Sequence, residues 1–233
     1  ARVLAQRVEM DFRKALLRQA HVVRAGAQVG QRAGRVQRQR LGEVEATCQR
    51  NVAANRGNMT HNQAEYLLKT SMQLARSTAN KRNAIRWDDQ GLARIPAPIT
   101  QWALKRVRPN VPPVGFSAKG YARSLSDWIA ENVTEIFASE FSIHHPAGFA
   151  GTADALLTIK GKHGIYVCDW KTSVGRKTDR DDRLPVGHSY IDQCGAYSLG
   201  LKHLTGLKPA GAAIVRDNAD ADAGELFVNH ACQ

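Results

Sequence analysis

Cysteine, aromatic residues and acid are all scarce in this chain, and each shortage excludes something. The only cysteines are Cys48, Cys168, Cys194 and Cys232, widely separated and without a C-x-x-C pair, so a zinc or iron–sulfur site lacks its usual ligand spacing. Cys168 and Cys194 fall in apolar segments, where cysteine serves as a small filler, and a reducing, intracellular setting is expected. No apolar run reaches the length of a membrane span and no signal-peptide core is visible, so no membrane partner is expected. A glycine-rich G-x-x-x-x-G-K-[ST] phosphate loop is also missing. Asp and Glu number 21 against 33 Lys and Arg, a net charge of +12 with pI near 9.9. Such an excess points to a polyanionic partner, with nucleic acid favoured over an anionic membrane surface. The hydrophobic fraction of 43% over 233 residues is enough to build a proper core.

The shortage of acid is local. From Phe12 to Gly42 there is none, while Arg13, Lys14, Arg18, Arg24, Arg32, Arg35, Arg38 and Arg40 all occur. Transit peptides share that bias but are rich in serine, and the first serine here is Ser71, so the stretch reads as a basic helical face.

Helical periodicity is expected over 2–20, over 55–76 and over 117–138, with a short helix around "TQWALKRV" inside a proline-rich connector spanning 93–115. After Ala138 the period becomes alternating. "SEFSIHH", "GFAGTADALLTIK" and "GIYVCDWKTS" read as strands, followed by a charged loop at 174–187. A helix "SYIDQCGAYSLGLKHLTG" then leads to two more strands, "AGAAIVRDN" and "ELFVNH". The order predicts an α/β fold, a mixed five-stranded sheet with a crossover helix. The expected division is a basic helical N-terminal region, 1–115, and a core, 116–233.

The strand "IYVCDWKTS" contradicts its own greasiness. Asp169 and Lys171 share one face of it, where burial of charge is costly. The strand before it carries Asp154 within "GTAD", and neighbouring antiparallel strands lie about 5 Å apart. The two carboxylates could converge on one hard cation, Mg²⁺ or Mn²⁺, with Lys171 beside the water or phosphate that it would activate. The bland alternative is an Asp–Lys ion pair closing a hairpin.

Taken together, Gly57-x-x-x-His61 on a helix, Glu140 followed by "GFAGTAD", then "CDWKTS", then Gln193-x-x-x-Tyr197 on a helix resemble the PD-(D/E)XK nuclease superfamily. The arrangement is most similar to its RecB-like branch, which includes the mitochondrial genome maintenance exonuclease, and spans about 55–230. The resemblance implies a restriction-endonuclease-like α/β core flanked by helices. It implies His61, Asp154, Asp169 and the main-chain carbonyl of Trp170 as metal ligands, and Lys171 as the catalytic lysine. Glu140 corresponds to the acid of the first core strand and is counted with the catalytic group. Gln193 and Tyr197 correspond to a motif that supports the site and meets DNA. The proline of the family's name is absent, its neighbourhood being Thr152 and Ala153.

Helical spacing adds detail. Gly57 lies one turn before His61, which allows a close backbone approach to another element or a nucleotide. Glu65 lies one turn after, where it could take the imidazole proton and fix the tautomer. Arg176 and Lys177, in the loop after Lys171, are expected to border the substrate channel. Trp87 and Trp102 are expected in the core, with base stacking as the alternative.

The function expected is a Mg²⁺- or Mn²⁺-dependent DNA nuclease, an exonuclease acting on single strands or duplex ends. The rivals are a non-catalytic nucleic-acid-binding domain of the same fold and an endonuclease.

Overall fold

The computed structural model describes residues 42–172, 188–217 and 225–229, and side chains within these except at 188–191, 217 and 225–229. The chain divides into two compact units. Of the first, the described parts are 42–51 and 188–193, each the opening of a helix. The second holds the five-stranded sheet. The helices expected at 2–20, the loop 174–187 with Arg176 and Lys177, and the turn before the last strand lie outside the described residues.

Helix α1 runs from Glu43 to Lys81, 39 residues, far longer than the segment expected. Glu43 and Glu45 in its first turn and Lys81 in its last complement the helix dipole. Thr60, Ala64, Leu67, Leu68, Ser71, Ala75 and Ala79 are all buried, and their spacing makes one stripe down the helix. A small hairpin follows, β1 (Arg86–Trp87) with β2 (Ala93–Arg94), then α2 (Ala97–Val107), which starts after Pro96 and gives way to a short 3₁₀ turn containing Pro109.

Helix α3 spans Phe116–Asn132 and stops six residues short of the expected end. Strand β3 takes over at once, Val133–His145. The β-branched and aromatic run Val133, Thr134, Ile136, Phe137 explains the switch. Those side chains cost a helix rotamer freedom and fit a pleated surface well. The helical period had simply run on through them.

Strands β4 (Phe149–Ile159) and β5 (Tyr166–Thr172), helix α4 (His188–Thr205), and strands β6 (Gly211–Asp217) and β7 (Glu225–Asn229) complete the chain. The sheet order is β3-β4-β5-β6-β7. All neighbours are antiparallel except β5 and β6, whose parallel pairing is allowed by the α4 crossover.

Alternation along β5 divides the core. Tyr166, Cys168 and Trp170 pack with Leu67 and Leu68 of α1 and Leu125, Trp128 and Ile129 of α3. Val167 faces the other way, with Ile143, Leu156 and the α4 residues Tyr197 and Leu201. Helix α4 comes very close to β3 at Gly200, where a Cβ would stand 2.0 Å from Ile143 Cγ2. Trp128 and Trp170 meet edge to face inside the core. Trp87 and Trp102, expected there, are instead 73% and 48% exposed. Trp87 lies on a two-residue strand with both positions exposed, and Trp102 on α2, whose buried positions are taken by smaller residues such as Ile99 and Ala103.

Candidate metal centre

The site forms where β4 and β5 part. Their ladder ends at the pair Ala155↔Cys168, while β5 and β6 stay paired as far as Thr172↔Asp217. Beyond that point a side chain replaces the missing ladder partner. The Trp170 N–H donates to Asp154 Oδ2 at 2.6 Å. Asp154 is thereby wedged into the fork between the strands, only 7% exposed, with its other oxygen turned toward His61.

On the opposite side of β4, the pairs Ser139↔Ala155 and Phe141↔Ala153 bracket Glu140 and Asp154, so the two acids face one another across the ladder. Glu140 has φ of +49° in mid-strand, a left-handed conformation costly for a residue with a Cβ. Two like charges placed directly opposite are also unfavourable. Strain and repulsion at one position are tolerated when the surrounding structure fixes them, and such positions cluster at functional sites.

The imidazole of His61 comes from α1 and closes the group. Its Nδ1 lies 3.3 Å from Asp154 Oδ1 and its Nε2 3.1 Å from the Trp170 carbonyl oxygen. One ligand atom from each of His61, Glu140 and Asp154 falls within 4.8 Å of the others. One turn earlier, a Cβ on Gly57 would stand 3.6 Å from Thr172 Oγ1. Helix α1 thus lies along the end of β5, though at an ordinary contact distance that does not demand glycine.

Asp169 and Lys171 complete the fork. Lys171 Nζ stands 2.5 Å from Asp169 Oδ2, an oxygen that is buried and has no aligned hydrogen bond. Burial pushes the Asp169 carboxyl up to about 6, against the pull of the Lys171 ammonium and with help from the Asp154 charge. Burial, and then the Asp154 charge, also raise Glu140. For His61, burial works downward, but the hydrogen bond and charge of Asp154 outweigh it and the net displacement is upward. Buried acids that also feel the Asp154 charge, and a histidine raised by the same carboxylate, make a pocket where a proton or a cation is favoured.

The donor set fits a divalent ion. Two ligands bound at about 2.1 Å and at right angles sit roughly 3 Å apart, close to the separation of His61 Nδ1 and Asp154 Oδ1. When Nε2 carries a proton it donates to the Trp170 carbonyl, which leaves Nδ1 to ligate, the usual second bond of a metal-bound histidine. Two carboxylates and one imidazole suit a hard or borderline ion.

Most residues singled out in the sequence come together here: His61, Glu140, Asp154, Asp169, Lys171 and the Trp170 carbonyl. Tyr197 packs nearby on β4, since a Cβ on Gly151 would stand 2.8 Å from its ring. Gln193 is half-buried in the other compact unit and is described only there. Glu65 does not serve His61. Both ring nitrogens have other partners, and Glu65 pairs at 2.5 Å with Lys69, one turn along α1. A neighbouring cation four residues on was the better partner. The membership of Glu140 in the tightest ligand group was legible in principle. Glu140 and Asp154 each lie seven residues from Ala147, the midpoint of the closing pair His145↔Phe149, as hairpin partners must.

The model of the PD-(D/E)XK nuclease superfamily matches residues 31–229, nearly the whole chain. The chain belongs to that superfamily. No curated protein matches it at a significant level. A PD-(D/E)XK member is a nuclease-type hydrolase that works with divalent metal on nucleic acid, and His61, Glu140 and Asp154, from α1, β3 and β4, form a group that could hold such an ion. Among the described residues no helix is long and apolar enough to cross a membrane.

Proposed function

We propose that this PD-(D/E)XK protein is a DNA nuclease dependent on Mg²⁺ or Mn²⁺, an exonuclease of the RecB-like branch acting on single strands or duplex ends during DNA replication, recombination or repair. The observation that carries the reading is the convergence of His61, Glu140 and Asp154 within 4.8 Å, with the Lys171–Asp169 pair alongside. The imidazole in the donor set favours Mn²⁺ over Mg²⁺. Buried free thiols at Cys168 and Cys194 suit a reducing intracellular compartment.

A divalent ion bound at this centre supplies Lewis acidity toward a phosphate oxygen and lowers the pKa of water. The chain's own residues do the rest. Asp154 is fixed by the Trp170 N–H and cannot swing away. Lys171 brings an ammonium to the mouth of the fork, where it offsets the negative charge that grows on the phosphoryl oxygens. Asp169 holds that ammonium in place. Glu140, besides its place in the ligand group, accepts the proton given up by the attacking water. The water oxygen bonds to phosphorus, the ester bond on the opposite side breaks, and the leaving oxygen takes a proton from solvent.

The test is a time course on labelled linear, end-blocked and closed circular DNA with Mn²⁺ or Mg²⁺. Linear DNA should shorten and circular DNA should persist, and Lys171→Ala should slow turnover by at least about a hundredfold while retaining binding. Cutting of circles would make the protein an endonuclease. Salt-sensitive binding without cleavage under either ion would make it a binding domain. Full activity in Lys171→Ala would refute the mechanism.

A further inference from the structure

Among the described residues, no carboxylate answers the charge of Arg56. Its guanidinium carbon lies 4.6 Å from the centre of the Tyr121 ring, an aromatic itself only 5% exposed. Its Nε is buried without a hydrogen-bond partner, and no carboxylate pairs with it among the described residues. Half-burying a guanidinium without a counter-ion is costly, and an aromatic face offsets only part of the cost. The ring also holds the planar fork in one orientation, as phosphate recognition requires. Arg56 adjoins Gly57, which touches Thr172, the residue after Lys171. The turn of α1 that carries Arg56 therefore comes just before the turn that brings His61 to the fork.

The same flank of α1 carries a second oddity. Gly115, at the start of α3, lies against Met59, where a Cβ would stand 3.2 Å from Sδ. The next residue, Phe116, is 96% exposed, and Lys119 beside it is also exposed. Lys119 has no ion pair among the described residues. An aromatic ring left wholly in water, with Lys119 on the same helix and Arg56 seated on Tyr121 five residues further along it, has the composition of a single-strand track, where bases stack and phosphates are neutralised. A duplex keeps its bases stacked inside and would leave Phe116 unused.

Resting on the nuclease reading, we propose that a single-stranded nucleic acid lies along the α1–α3 flank. Arg56, seated on Tyr121, binds a backbone phosphate close to the one cleaved, and Phe116 stacks on a base further out.

The experiment uses the full chain in EDTA, so that binding is read without turnover. Fluorescence anisotropy follows a fluorescein-labelled oligothymidylate, and a duplex of equal length, across a NaCl titration. Arg56→Gln should flatten the log K against log[NaCl] slope by about 0.7, one single-strand phosphate contact. Phe116→Ala should weaken the single strand at least about fivefold and leave the duplex unchanged. If Arg56→Gln does not melt cooperatively, Arg56→Lys takes its place, with slope kept and affinity reduced because the planar fork is lost. An unchanged slope in Arg56→Gln, an unchanged affinity in Arg56→Lys, or an equal loss for duplex and single strand in Phe116→Ala would overturn the inference. A chain that binds in this way but never cuts would sink the nuclease reading alone. One that cuts while both residues prove indifferent would sink this inference alone.

Discussion

Replacing Asp169 by asparagine should make the protein more stable and less active, and the size of the gain follows from its surroundings. The side chain is 2% exposed, and burial carries its carboxyl from an ordinary 3.8 to about 6. Between those values the folded chain binds a proton that the unfolded chain has released, so stability falls as pH rises through the interval. Above about 6 both states are ionised and the penalty is complete; below 3.8 it is gone. At about 1.4 kcal/mol per pH unit, the ionised carboxylate costs the folded protein roughly 3 kcal/mol at neutral pH. Asparagine keeps the shape without the charge. For a chain of this size the difference corresponds to a rise in melting temperature of about 6–12 °C as a ceiling. The assay is thermal unfolding of wild type and Asp169→Asn in EDTA from pH 4 to pH 8. The gap should be full at pH 7, narrow below pH 6, and close toward pH 4. A gap that does not depend on pH, or a less stable variant at pH 7, would refute the argument that Asp169 is a strained acid held for a purpose other than folding.

Two further outcomes follow from the same geometry. Saturating Mn²⁺ at a hundred times its dissociation constant should stabilise the wild type by about 2.7 kcal/mol, with less effect as pH falls because protons compete for His61 and Glu140. Glu140→Gln should lose most of that stabilisation, and a melting shift equal to wild type would remove Glu140 from the ligand set. Gly200→Ala should cost about 1–3 kcal/mol in chemical denaturation, because its new methyl would overlap Ile143 Cγ2; a neutral result would mean that α4 can slide on β3.

Strands β4 to β7 and the crossover helix were legible because their alternation and turn chemistry are local properties. The chemistry was legible for the opposite reason. Asp169 and Lys171 break the apolar rule of a buried strand, and a broken rule is visible in a single line of sequence. Helix α1 was underestimated because its opening residues, 43–54, are exposed apart from Ala46 and carry no apolar stripe, and α3 was overestimated because helical spacing persists by chance into Val133–Phe137.

What the sequence by itself determined is the set of reactive groups and the strands that carry them, since period and composition act residue by residue. Only the tertiary structure decided their partners. Glu65 lies one turn from His61, yet Lys69 claims it, and the imidazole turns to Asp154 and the Trp170 carbonyl. Glu140 enters the ligand group through a left-handed twist that no local preference would choose. Arg56 meets Tyr121 across 65 positions of chain. Each of these depends on which surfaces come within a few ångströms after the core has closed. That is fixed by packing between distant elements, and the order of residues along the chain does not specify it locally.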